Sequence, residues 1–232
     1  MAKNAVHSAR FQFASDQSLL VSFAYKINRE THERVMKLLR LLEADPVRGV
    51  RNLHPAYCSI LIKFDPLRTE HEQLSETLAG YVERADSMPL PEPRIVEIPV
   101  CYGGEFGPDL RDVSAIHNLT AEQVIELHTS ATYLVYFLGF CPGFAYLGEL
   151  PEALITPRLP TPRKKVPAGS VAIAANQTGV YPVATPGGWR ILGRTPLQMF
   201  QPKREALSLL SIGDHVRFKP ISTAEFASME RA

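Results

Sequence analysis

Between Ala153 and Arg204 the sequence contains no aspartate, glutamate or histidine, yet it holds Arg158, Arg163, Lys164, Lys165, Arg190, Arg194, Lys203 and Arg204. A cationic stretch with neutral donors and no carboxylate is suited to holding an anion. It is poorly suited to supplying a general base, because the side chains that most often do so are missing. Such a stretch reads as half of an active site. Cysteine is scarce and widely spaced: Cys58, Cys101 and Cys141 form no C-x-x-C pair and no Cys/His cluster. That excludes a disulfide framework and a zinc site as readings, and the thiols read as buried and reduced in a cytosolic protein. No apolar run approaches the ~18 residues of a membrane span, and the N-terminal MAKNAVHSARFQF lacks the apolar core of a secretory leader. The net charge of +1 gives no global field for nucleic acid. No G-x-x-x-x-G-K-[ST] is present, which excludes a P-loop nucleotide hydrolase. Ser170 in AGSVA lacks the G-x-S-x-G elbow and has no histidine in its stretch to activate it, and Cys141, which would need a nearby base to act as a nucleophile, reads as a packed thiol.

What is present divides at SMPLPEPR, where Pro89, Pro91 and Pro93 alternate and favour an extended connector. Residues 1–92 read as a small α/β domain and 93–232 as a second, β-rich domain. In the first, Ser18–Tyr25 reads as a strand. Val35, Leu38, Leu39 and Leu42 then mark one face of a helix, and YCSILIKF alternates as a strand with Cys58, Ile60, Ile62 and Phe64 on one face. A second helix spans about 70–85, with Leu74, Leu78, Tyr81 and Val82 inward. This is a small α/β sandwich. In the second, RIVEIPV is a strand that Pro99 places at an edge or ends. Thr120 and Gln123 form a capping box before AEQVIELHTS, and YLVYFL is a β-type run. Ten prolines between Pro142 and Pro202 exclude long helices. SVAIAA and HVRFKP fit strands of an all-β barrel or sandwich, so the fold class is α+β.

The glycines of CYGGEFG read as a tight turn. Trp189, the only tryptophan, reads as core or as a stacking platform. Asp109 and Asp112 read as helix caps or as carboxylates near the cationic stretch, together with Glu105. His128 falls in the last turn of its helix, where the dipole would stabilise a cation.

The segments IPVCYGGEFGPDL, YLVYFLGFCPGFAYLGELP, PRKKVPAGSVAIAANQTGVYPVATPGGWRILGRTPLQMF and GDHVRFKPI resemble the KipI family, also called allophanate hydrolase subunit 1. The resemblance covers about residues 95–221 closely and the N-terminal region more loosely. It implies a small α/β domain followed by a cyclophilin-like β-barrel. It also implies the role of the B subunit of a cytoplasmic, ATP-dependent 5-oxoprolinase. There the chain would pair with a homologous C subunit and with an A subunit to open 5-oxo-L-proline to L-glutamate. ATP, with Mg2+, would be bound here or shared with a partner. A homo-oligomer is expected when the partners are missing, and neither nucleic acid nor membrane is implied. Family members also include an inhibitor of a sensor histidine kinase, and a related domain is the carboxyltransferase of urea carboxylase.

Mapped onto this chemistry, Arg158, Arg163, Lys165 and Arg194 are the expected anion ligands. Ser170, Gln177, Thr178 and Tyr181 are the expected hydrogen-bonding groups, with Gln177 and Thr178 at the reacting centre. Acid–base groups would come from Glu105 and Asp109 or from a partner, and no metal ligand is expected. The chain departs from the family pattern at Ala145, usually proline, at Ala175, usually glycine, and at Gln201, usually aspartate. An alanine at 175 matters where that backbone needs a positive φ.

Overall fold

Leu19 and Val21 on one strand stand opposite Ile62 and Ile60 on its neighbour, and all four are fully buried. This pairing is the centre of the first unit. A computed structural model describes residues 9–231 of the chain, and the reading of residues 1–8 as free of a leader lies outside them. The chain falls into two compact units, Met1–Glu92 and Pro93–Ala232.

The first unit runs β1 (Arg10–Ser15), β2 (Ser18–Ser22), α1 (Arg29–Ala44), β3 (Val50–Pro55), β4 (Ser59–Phe64) and α2 (His71–Ala85). Its sheet has the order β1-β2-β4-β3 and is antiparallel throughout. Helix α1 starts where the Asn28 side chain accepts from the Thr31 N–H at 2.8 Å, and it buries Val35, Leu38, Leu39 and Leu42 as the spacing predicts. Helix α2 buries Leu74, Leu78 and Val82. Tyr81 is only half-buried and carries the Arg84 guanidinium over its ring. Two strands exceed the sequence reading. β1 is exposed along almost its whole length and β3 along half of it, so neither shows the alternation that reveals β4. Strand β2 ends at Ser22, short of the expected Tyr25.

The second unit contains β5 (Ile95–Tyr102), α3 (Leu110–His117), α4 (Ala121–Ser130), β6 (Tyr133–Leu138) and β7 (Ala145–Gly148). After one short 3-10 turn follow β8 (Arg163–Val166), β9 (Ser170–Ala174), β10 (Gln177–Val180), β11 (Thr185–Gly187), β12 (Arg190–Arg194), β13 (His215–Pro220) and α5 (Thr223–Glu230). Seven strands close a barrel in the order β10-β7-β6-β13-β5-β12-β9, and β8 pairs with β11 beside it. Strand β5 does not stop at its proline, and at Pro99 it is paired on one side only. It runs in parallel with β13 from Ile95 to Val100, and β12 pairs with it only at Cys101 and Tyr102. Pro99 therefore lies beyond the β12 ladder, and its missing N–H costs no bond there. The capping box of α4 forms as expected, with Thr120 and Gln123 exchanging bonds.

Strand β9 is buried on both faces. Val171 and Ile173 enter the core shared with Ile98, Val100, Leu147 and Val216. Ala172 and Ala174 enter a second cluster with Phe144, Tyr181, Trp189 and Ile191. Opposite Ala172 stands Gly179 of β10. A Cβ on Gly179 would come within 3.1 Å of Phe144 and 3.2 Å of Trp189. These small residues leave a flat outer surface on which large rings lie.

Candidate functional site: an aromatic cleft on the outer face of the barrel

On that surface Phe144 packs edge-to-face with Tyr146, Tyr181 and Trp189, and Tyr146 packs edge-to-face with Trp189. Centroid separations are 5.5 Å for Phe144–Trp189, 5.3 Å for Phe144–Tyr181 and 6.0 Å for Tyr146–Trp189. Such perpendicular pairs are the favoured arrangement of aromatic quadrupoles and hold one another rigid. With Arg158, Phe140 and the Pro186–Gly188 turn they enclose a cleft of about 240 Å³. Trp189 is thus both readings at once: it is 5% exposed and also a wall of the cleft. Arg158 is the one charged residue of the lining. It forms no hydrogen bond or ion pair among the described residues. Burial pushes the Tyr146 and Tyr181 hydroxyls up from their ordinary value, and the positive charge of Arg158 acts against that rise on both.

Phe140 stands at the mouth, 61% exposed. Its φ is +66°, and the Cys141 N–H bonds to the Gly139 carbonyl at 2.7 Å across it. That is the strained form of the γ-turn, and a bulky side chain is rarely held there.

Of the residues expected at the site, Arg158 and Tyr181 line this cleft. The others do not. Arg163 donates from Nη2 to Asp109 Oδ1 at 2.6 Å, and Asp109 Oδ2 accepts the Ile191 backbone N–H at 2.7 Å. Asp109 stands at the N-cap of α3 but makes no side-chain cap bond, because both its oxygens are engaged elsewhere. Asp109 is therefore engaged by both oxygens, and Arg163 is committed to it through Nη2 while its Nη1 is buried without a hydrogen-bond partner. Arg194 donates to the Ala168 carbonyl at 2.9 Å and lies near the Phe226 ring. Lys165 is exposed on β8, outside the cleft lining. Ser170 is buried at the start of β9 opposite Arg194, and Gln177 is half-buried on β10 opposite Ala174. Glu105 is exposed on the turn made by Gly103 and Gly104, both at positive φ. The glycines thus serve that turn.

Thr178 points into the barrel. Its hydroxyl donates to the Ala172 carbonyl at 3.1 Å and accepts from His128 Nε2 at 2.9 Å. A hydroxyl has one proton to give, so Nε2 is the protonated nitrogen of His128. Nδ1 then accepts from the Tyr102 hydroxyl at 2.8 Å. His128 is fully buried, and desolvation lowers its pKa from 6.5 to about 3. It is a neutral member of a satisfied internal network, which corrects the expectation of a dipole-stabilised cation. Among the described residues no group of three or more His, Cys, Asp or Glu side chains is placed to hold a metal ion. No helix among them is long and apolar enough to cross a membrane.

The aromatic walls carried no sequence signal that separated them from ordinary core. The spacing of Phe140, Phe144 and Tyr146 around a Pro-Gly turn, with Trp189 after a Gly-Gly pair, is the only trace they leave.

Residues 9–210 match the family model described as carboxyltransferase domain, subdomain C and D. The Bacillus subtilis (strain 168) protein named as the B subunit of 5-oxoprolinase is 40% identical over 91% of this chain and 92% of its own length. The Escherichia coli O157:H7 protein of the same name is 55% identical over 62% of this chain and 66% of its own length. Among solved structures, TTHA0988 superposes with a TM-score of 0.78 at 38% identity, over 89% of this chain and 40% of the TTHA0988 chain. A match of this extent, on both units and over some nine-tenths of a curated relative, places the chain in the carboxyltransferase C and D domain family, alongside the 5-oxoprolinase B subunits.

Proposed function

We propose that this chain is the B subunit of a cytoplasmic, ATP-dependent 5-oxoprolinase. It would act in a heteromeric complex with a homologous C subunit and with an A subunit, opening the lactam of 5-oxo-L-proline to L-glutamate with cleavage of ATP. The observation that carries this reading is the similarity to the Bacillus subtilis B subunit along nearly the whole length of both chains.

The chemistry of the barrel surface supports a shared site. The cleft offers an unpaired guanidinium and neutral donors but no carboxylate and no histidine. Asp109 is held by Arg163 and Ile191, which leaves Glu105 as the exposed carboxylate of its loop. A lactam opening needs a proton-transfer group within hydrogen-bond reach of the reacting atoms. In this reading that group comes from a partner chain. The nucleotide would bind outside this cleft, elsewhere on this chain or on a partner. A cleft of about 240 Å³ falls below the ~300 Å³ at which sites for drug-sized ligands begin, and it does not fit a nucleoside triphosphate with its metal. The Mg2+-ATP chemistry, activation of a stable amide carbonyl, would be supplied there.

The test is ATP-dependent glutamate release from 5-oxo-L-proline by candidate A and C subunits, with this chain added and then omitted. The expected result is turnover only when the chain is present. Equal turnover without it would overturn the assignment.

A further inference from the structure

We propose that the aromatic cleft binds a small cyclic carboxylate, its ring against Phe144, Tyr146 and Trp189 and its carboxylate on Arg158. The choice of a lactam as the ligand rests on the oxoprolinase reading; the class of ligand rests on the cleft itself.

Size is the first argument. The volume of about 240 Å³ suits a molecule smaller than a drug-sized ligand. Shape is the second. The walls are ring faces and edges fixed at interplanar angles of 83°, 73° and 71°, so a compact, flat apolar ring enters with little reorganisation. Ala172 and Gly179 lie beneath them as a floor without bulk. Charge is the third. Arg158 is the lone charge of the lining, it has no ion-pair partner among the described residues, and its planar fork matches a carboxylate. The fourth argument is the unused donor. The Tyr181 hydroxyl belongs to the cleft lining, and a phenol has one proton to give to a ligand carbonyl. A ring amide offers such a carbonyl, whereas a saturated ring does not.

Phe140 completes the site. It packs 5.5 Å from Phe144 and 6.4 Å from Tyr181 in a positive-φ conformation that L side chains rarely adopt. Strained backbone clusters at active sites, ligand clamps and switch regions, and here it places the Phe140 ring in the cleft lining.

Trp189 is the only tryptophan of the chain, so its emission reports the cleft directly. The isolated chain is titrated with 5-oxo-L-proline, with 2-pyrrolidinone, which lacks the carboxylate, and with ATP. The proposal expects a saturable change with 5-oxo-L-proline. It expects at least tenfold weaker binding of 2-pyrrolidinone to the native chain, and of 5-oxo-L-proline to the Arg158→Gln variant, with the thermal midpoint of that variant unchanged. No saturable change, equal affinity in Arg158→Gln, or an Arg158-dependent response to ATP alone would overturn it. In the reconstituted complex, Arg158→Gln is expected to raise KM for 5-oxo-L-proline at least tenfold. An unchanged KM with turnover intact would overturn the cleft assignment and leave the oxoprolinase reading standing. Arg158-dependent binding to the isolated chain, with no turnover in any reconstitution, would uphold the cleft and remove the oxoprolinase reading.

Discussion

Arg163 and Asp109 meet at 2.6 Å although they lie 54 residues apart in sequence. The aspartate is almost wholly buried and the arginine side chain is 30% exposed. The pair ties the start of α3 to β8, and the second Asp109 oxygen ties it to β12 through Ile191. The link gives a basic residue of the acid-free stretch a carboxylate partner from outside that stretch.

Removing one partner leaves a buried charge without compensation. Arg163→Ala is expected to lower unfolding stability by about 3 kcal/mol, read from urea titrations at neutral pH. The double variant Arg163→Met/Asp109→Leu should recover most of that loss, since it removes the stranded carboxylate together with its partner. A single variant as stable as the native protein would show that the pair contributes nothing.

His128 predicts a pH dependence of defined sign. Its folded pKa of about 3 lies below the ordinary 6.5, so the unfolded chain binds the proton more readily. The stability it contributes is complete above pH 6.5 and is lost as pH falls toward 3, at up to about 1.4 kcal/mol per pH unit. The His128→Gln variant should be less stable at pH 7 and should show a shallower acid limb by about one proton. Parallel limbs in urea titrations from pH 7 to 4 would contradict this.

Ala175 occupies φ +49°, the left-handed region that costs a residue with a Cβ about 1–2 kcal/mol. The resemblance leads to the expectation of glycine there, and a positive φ is the conformation that glycine adopts without strain. Ala175→Gly is expected to raise the thermal midpoint by about 2–4 °C. A lower midpoint would mean that the added backbone entropy of glycine in the unfolded chain outweighs the relief.

Phe140→Gly separates stability from binding. The substitution removes the positive-φ penalty at position 140 and should stabilise the fold by about 1 kcal/mol. It also strips the ring from the cleft mouth, so 5-oxo-L-proline should bind more weakly by the Trp189 emission assay. Stabilisation with unchanged affinity would show that the strained ring does not touch the ligand.

The parts of the fold legible in the sequence are those where one face is buried and the other wet. Val35, Leu38, Leu39 and Leu42 on α1 and Ile60, Ile62 and Phe64 on β4 are of this kind. β1 hides because it is exposed on both faces, and periodicity carries no information where nothing is buried. The internal network of Tyr102, His128 and Thr178 is illegible for another reason. Its members are separated by 26 and 50 residues, and only the closed barrel brings them together. The cationic stretch misled in part because the acids that answer Arg163 and Arg190, Asp109 and Asp112, lie upstream of it. Arg158, which finds no such partner, is the residue for which the anion reading stands as a proposal.

The parallel pairing of β5 with β13 constrains the order in which the second unit can be made. Its first and last barrel strands are neighbours, in register from Ile95 with His215 to Val100 with Pro220. On the ribosome, β5 emerges more than a hundred residues before the strand that must lie beside it. Until then the nascent barrel presents two open edges, the condition under which chains cross-pair. A stop codon just ahead of His215 should therefore yield an aggregating product rather than a shortened barrel, while the four-stranded first unit, whose strands all precede the connector, is free to fold as soon as α2 has cleared the exit tunnel.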